Sequence, residues 1–233
     1  MAKKNRPLTV KTHFEYYFWV YLLIALAGWF VGDLAYTMTE YRPPAERKVE
    51  FQLVQSGYVA VEDFEATLAP ALLAAGQSYD ETLEAVDFFH IAYSGDATKD
   101  VYGAQKYSVM LAAGQGDIWI VDSNQFQQLW QMGGLKPLDE YVAAGLLSTE
   151  GMDLSGMMLP ETTGETDEEG VPLPATGPDR LYGIPVRGNP WLESAGFDTA
   201  DCCAVLMHFS VNPETCARVL GALIALPFKE APA

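Results

Sequence analysis

Hydrophobic positions fall into two regimes along this chain. From Tyr16 to Gly32 no charged residue interrupts a run of aromatic and aliphatic side chains, and Leu34 to Met38 continue it past Asp33. A helix over residues 16–38 is roughly 35 Å long at about 1.5 Å per residue, enough to cross a hydrocarbon layer of about 30 Å. A transmembrane helix is therefore expected there, with Asp33 near the outer interface. Tyr16, Tyr17, Trp19 and Tyr21 at one end and Trp29, Phe30 and Tyr36 at the other fit two interfacial aromatic belts. A cleaved secretory signal ending at Ala25-Leu26-Ala27 is the competing reading. It would leave Gly28-Trp29-Phe30-Val31 bare at a new terminus, so a retained anchor is favoured.

Past residue 48 the pattern becomes short and periodic. Val49 to Val54 reads as a strand ended by Ser56-Gly57, and Val61 to Ala75 as a helix with Phe64, Leu68, Leu72 and Leu73 on one face, with a kink at Pro70. Val86 to Tyr93 is a second strand, and Asp100 to Ala113 a second helix closed by Gly114. Gln115-Gly116 then turns into Asp117 to Val121, whose unbroken apolar run is that of a strand buried on both faces in a parallel sheet. Ser123 to Met132 forms a third helix, with Ser123 or Asn124 as its cap. Strand and helix alternating three times predict right-handed crossovers and one doubly wound α/β sheet whose first three strands are parallel.

The remainder is less regular. Residues 150–180 are Met-rich, then acidic, then Pro-rich, with neither period, and read as a long loop. Leu181 to Val186 and Ala204 to Phe209 are short strands, and Pro213 to Leu226 a last helix capped by Asn212. The expected organisation is a cytoplasmic basic tail (1–15), a membrane helix (16–38), a stalk (39–48), an extracellular domain (49–226) and a tail (227–233).

Charge sharpens that division. Residues 1–13 carry +4 through Lys3, Lys4, Arg6 and Lys11, while residues 41–233 hold 28 acids against 10 basic residues, a formal −18. Basic flanks stay cytoplasmic, so the N-terminus is expected inside and the acidic domain outside, at the cell membrane in a single pass. An exterior this acidic excludes nucleic acid as a partner. The three cysteines, Cys202, Cys203 and Cys216, cluster late in the chain and do not staple the domain. Cys216 with Cys202 or Cys203 remains open as one disulfide.

Several fragments share one order. Leu111 to Gly114 followed by Gly116-Asp117-Ile118, then Phe126 to Leu129, Gly133-Gly134-Leu135 and Gly134 to Tyr141 (GLKPLDEY) resemble the first lobe of the extracellular solute-binding proteins of ABC importers. Leu181 to Pro185 (LYGIP) resembles that family's hinge strand, and Val211-Asn212-Pro213-Glu214 its returning helix. The resemblance covers residues 49–226 and implies a type II solute-binding fold, a small solute as ligand and an ABC permease as partner. It stops short at one place: about fifteen residues separate Val186 from Ala204, too few for a second lobe. A single-lobed, membrane-tethered binder is expected, with a non-binding adaptor of the same fold as the alternative.

Catalysis has no sequence support, since Gly-x-Ser-x-Gly, phosphate-loop and His-Glu-x-x-His patterns are all absent. No cofactor or metal is expected. His90 reads as a core histidine, and His208 with the cysteines lacks paired zinc-ligand spacing. Glu165, Asp167, Glu168 and Glu169 lack the alternating oxygen spacing of a calcium loop. Asp96 and Asp122 read as caps before paired carboxylates, and Tyr93, Phe126 and Trp191 are candidate stacking faces. In doubly wound sheets ligands sit at the carboxyl ends of the strands. The expected binding residues are therefore Ser56, Tyr93, Ser94, Asp122, Ser123, Asn124 and Arg187. Arg187 stands out as a lone cation after the hinge strand, suited to a carboxylate or a carbonyl oxygen.

Overall fold

A computed structural model describes residues 10–162 and 175–226. The basic residues Lys3, Lys4 and Arg6, the acids Glu165, Asp167, Glu168 and Glu169, and residues 227–233 lie outside the described residues. Internal contacts divide the chain into two units, Met1–Arg42 and Pro43–Ala233.

The first unit holds helix α1, Val10–Thr39. Its segment Tyr17–Thr39 is long and apolar enough to cross a membrane, and none of it is buried. Thr37 and Thr39 turn their hydroxyls back to the carbonyls of Asp33 and Ala35, which hides both from an apolar surround.

The second unit is built on one five-stranded sheet. Strands β1 (Lys48–Val54), β2 (Ala85–Ile91), β3 (Ile118–Asp122), β6 (Gly183–Pro185) and β7 (Cys202–Leu206) lie in the order β2-β1-β3-β7-β6. β1 pairs parallel with β2 and β3, while β7 runs antiparallel between β3 and β6. A side strand pair, β4 (Met158–Pro160) with β5 (Asp179–Leu181), is antiparallel. Between β1 and β2 the chain is helical from α2 (Val61–Asp63) through a wide turn at Phe64–Leu68 into α3 (Ala69–Gln77). Pro70, with no N–H to donate, stands in the first turn of α3, two residues after the wide turn ends. Helices α4 (Val101–Ala112), α5 (Ser123–Gln131), α6 (Asp139–Ala143), α7 (Pro190–Ser194) and α8 (Pro213–Ala225) complete the unit.

Strand alternation sorts side chains to the two faces of the sheet. Phe51, Leu53, Phe88, Ile118, Ile120, Ala204 and Leu206 pack under α3, α7 and α8. Val54, Ile91, Trp119, Val121, Cys203 and Val205 pack under α4 and α5. All three cysteines are free, so neither pairing left open by the sequence is present, and Cys203 lies on the opposite face of the sheet from Cys216. Gly116 explains the abrupt turn into β3. Its φ is +87°, and a Cβ there would lie 2.3 Å from Gln52 Cγ and 2.8 Å from Trp119 Nε1. Only glycine fits that joint.

Several boundaries differ from expectation. β3 runs to Asp122 rather than stopping at Val121, and the cap of α5 is Asp122, in keeping with its reading as a cap, and not Ser123 or Asn124: its Oδ1 accepts from Gln125 N at 2.8 Å. Asn212 precedes α8, but its amide reaches Glu46 O instead of capping the helix. The stretch Leu181 to Val186 is not one strand. Tyr182 N bonds Met157 O at 3.1 Å, which splits it between β5 and β6. Residues 150–180 are not wholly loop, because Met158–Pro160 pairs with β5.

Candidate functional site

The carboxyl ends of β3 and β6 meet at one edge of the sheet, joined there by the start of the antiparallel β7. Three loops and the first turn of α5 enclose an open cleft of about 590 Å³ at this edge. Ser123 enters from α5, Pro185 and Arg187 follow β6, Asp201 and Cys202 open β7, and Met152 to Met157 form the opposite wall.

Arg187 is positioned by its own backbone and by one bond. β6 ends at Pro185, Val186 N returns to Cys202 O at 3.1 Å, and Arg187 Nε donates to Ala200 O at 2.8 Å. The carbonyl takes up Nε, and no carboxylate among the described residues forms an ion pair with the guanidinium. Arg187 acts by charge on Asp153, which lines the same cleft. Its carboxyl is held below 3.8, first by the Ser155 side chain and backbone N–H, then by the charge of Arg187. Ser123 Oγ is engaged by Asp201 Oδ1 at 2.6 Å. Burial pushes the Cys202 thiol up to about 12, with Asp122, Asp198 and Asp201 adding to it, and its Sγ bonds Asp198 O. That sulfur is no nucleophile at neutral pH.

Of the seven expected residues, the structure brings Ser123 and Arg187 into the cleft and leaves the others apart from it. Asp122 is occupied as the α5 cap. Tyr93 is buried with its ring 5.2 Å from that of Tyr107, and Ser94 N donates to Asp100 Oδ2 at 3.0 Å. Ser56 and Asn124 are exposed at the ends of β1 and in α5. Phe126 lines the cleft floor, whereas Trp191 is a core residue whose Nε1 donates to Leu226 O. His90 Nε2 lies 3.0 Å from Gln55 O and His208 Nδ1 3.3 Å from Gly134 O, so both imidazoles have backbone partners. Among the described residues no three His, Cys, Asp or Glu side chains converge as a metal site.

Sequence reasoning missed the wall made by Met152, Asp153 and Met157. The clustering of methionines at 152, 157 and 158 was its one visible signal.

A second polar feature lies on the α4–α5 face. Gln125 is 1% exposed, yet neither amide atom has a hydrogen-bond partner, and the Tyr107 hydroxyl is likewise unpaired. Burial raises the Tyr107 hydroxyl far above its ordinary value of 10.0, with Tyr93 and Asp122 contributing.

No protein-family model matches the sequence, and no curated protein matches it. Among solved structures, the chain is similar to an extracellular solute-binding protein of family 1 from Alicyclobacillus acidocaldarius, at 16% identity and a TM-score of 0.32, over 63% of this chain and 29% of that one. It is also similar to an ABC substrate-binding protein from Listeria monocytogenes in complex with cycloalternan, at 14% identity and a TM-score of 0.30, over 58% and 28%. A third likeness, at 17% identity and a TM-score of 0.28, is to an ABC transporter solute-binding protein from Agrobacterium vitis with bound D-mannitol, over 60% and 27%. The chain thus spans less than a third of the length of each of these solute-binding proteins.

Proposed function

We propose that the domain of residues 49–226 binds a small solute in the cleft at the carboxyl edge of β3 and β6, and that α1 tethers it to a cell membrane with the domain outside. The observation that carries this reading is the cleft itself, about 590 Å³ with Arg187 in its wall. That volume lies in the range of small-molecule sites. Arg187 presents a planar fork to it, suited to donate two parallel hydrogen bonds to a carboxylate or one to a carbonyl oxygen. Because one lobe leaves a face of the ligand in water, the expected affinity is modest and the role is capture or hand-over to an importer.

The test is a thermal-shift and titration screen of the full chain with carboxylates, sugars, polyols and short peptides, repeated on Arg187→Ala. A ligand that stabilises the parent and loses at least about tenfold in affinity for Arg187→Ala supports the reading, since a charge-assisted bond is worth that much. A ligand binding both equally places the site elsewhere.

A second reading is an adaptor of the same fold. It is favoured by Tyr58, Val101 and Tyr102, which follow the carboxyl ends of β1 and β2 and are exposed at 77%, 65% and 89%. Solute screens that fail throughout, with partner binding abolished by Tyr102→Ser, favour that reading.

A further inference from the structure

Asp33 is the only Asp, Glu, Lys, Arg or His between Tyr16 and Thr39, and it stands six residues before the end of the apolar segment Tyr17–Thr39. At about 1.5 Å per residue it lies roughly 9 Å inside that end. Cα–Cβ bonds in a helix tilt toward the N-terminus. Counted from Thr39 as the end of the span, Asp33 lies deeper than the outer-interface position expected from the sequence; its carboxylate leans away from the nearer membrane surface, and its short side chain cannot reach back to water as a lysine would. A carboxylate so placed is costly in hydrocarbon unless something pairs with it.

The neighbours on its face define what that partner is. One turn below is Trp29 and one turn above is Tyr36, exposed at 72% and 67%, on the same side of α1 by their spacing of four and three residues. A carboxylate between two aromatic faces attracts a cation three times over, by charge and by the two ring quadrupoles. Lipid ammonium groups stay in the headgroup layer above this depth.

Resting on the reading that α1 spans a membrane, we infer that the face Trp29, Asp33, Tyr36 docks a transmembrane helix of another protein that carries a lysine or arginine at this depth. The charge complement argues against a second copy, whose Asp33 would bring like charge to like. The partner's cation enters between the two rings and pairs with the carboxylate, so that neither charge is left unpaired in lipid.

The experiment uses the full chain, donor-labelled in its acidic domain, in phosphatidylcholine vesicles with acceptor-labelled synthetic transmembrane peptides. One peptide is Leu/Ala-rich with a single Lys at the depth of Asp33; the control replaces that Lys by Leu. Energy transfer should report association about tenfold stronger with the Lys peptide, falling to the control level in Asp33→Asn and in Asp33→Ala. Equal transfer with both peptides, or undiminished transfer in Asp33→Asn, overturns the inference. So does transfer between two labelled copies that Asp33→Asn abolishes, because the face would then join copies of this chain. Alkaline extraction of the vesicles separates the two readings: a chain that is extracted refutes anchoring, whereas a retained chain that ignores the Lys peptide refutes only the docking face.

Discussion

Replacing Gly116 by alanine tests the joint on which the sheet edge depends. Two costs add at this position. A non-glycine residue at φ +87° pays roughly 1–2 kcal/mol for left-handed backbone. The new methyl would also sit 2.3 Å from Gln52 Cγ and 2.8 Å from Trp119 Nε1, both in side chains that are fully buried. Neither neighbour is a free chain end, so relief requires moving β1 or the Trp119 ring, an overpacking cost of about 1–3 kcal/mol. Together they remove about 2–5 kcal/mol from a total that for a domain of this kind is about 5–15. Gly145→Ala is the control. Its φ is +73°, but nothing lies within 4 Å of the added methyl, so only the backbone cost remains. Urea titrations of the full chain in detergent, followed by far-ultraviolet circular dichroism at unchanged slope, should place Gly116→Ala well below Gly145→Ala. Adding Gln52→Ala to Gly116→Ala should recover part of the loss, since the pair is in contact. If Gly116→Ala is no worse than Gly145→Ala, the collision is not real and the packing of β1 on this turn is misread.

Further outcomes follow from the same geometry. Asp122→Ala should destabilise by about 1 kcal/mol through loss of the α5 cap, while Asn124→Ala should not, as urea midpoints will show. Gln125→Met should keep or raise stability, because it replaces a buried amide with no partner by an apolar side chain of similar size; a fall of more than about 1 kcal/mol means the amide is bonded. Burial raises the carboxyls of Asp87 and Asp117 above 3.8, with Glu50 adding to both shifts. The folded state therefore binds the extra protons: their contribution is present below the ordinary carboxylate range and is lost as pH rises through the raised values. Urea midpoints of Asp87→Asn should accordingly fall less between pH 3.5 and pH 7 than those of the parent, and parallel curves would contradict the burial of Asp87.

How much of this was legible in the sequence depends on whether a segment is shaped by its own period or by its neighbours. β3 was readable because both its faces are covered, which forces the apolar run Ile118 to Val121, and because Gly114 and Gly116 punctuate its start; β2, at the sheet edge, was readable from Val86, Phe88 and Ile91 on its buried positions. Their parallel pairing with β1 followed from the helices between them. The direction of β7 did not, since Ala204 to Leu206 is a short apolar run that looks the same in either sense; its partners on both sides reverse it. β4 was illegible for a different reason: it pairs with β5 alone and is partly exposed, so it needs no alternation. The cysteines illustrate the limit of proximity in sequence, because a sheet lies between Cys203 and Cys216 and only the alternation along β7 assigns the face. The cleft divides along the same line. Ser123 and Arg187 stand at strand ends, where a general rule for α/β sheets directs attention. Met152 and Met157 reach the cleft through backbone bonds, Met152 N to Thr149 O at 3.2 Å and Met157 N to Leu154 O at 3.0 Å, that no side-chain pattern announces. The cation that would orient a ligand was therefore visible in the sequence, and the soft wall that would shape it was not. A thioether wall tolerates many ligand shapes. Selectivity in such a cleft would rest on the fixed Arg187 fork, which is why its removal is the more informative perturbation of the two.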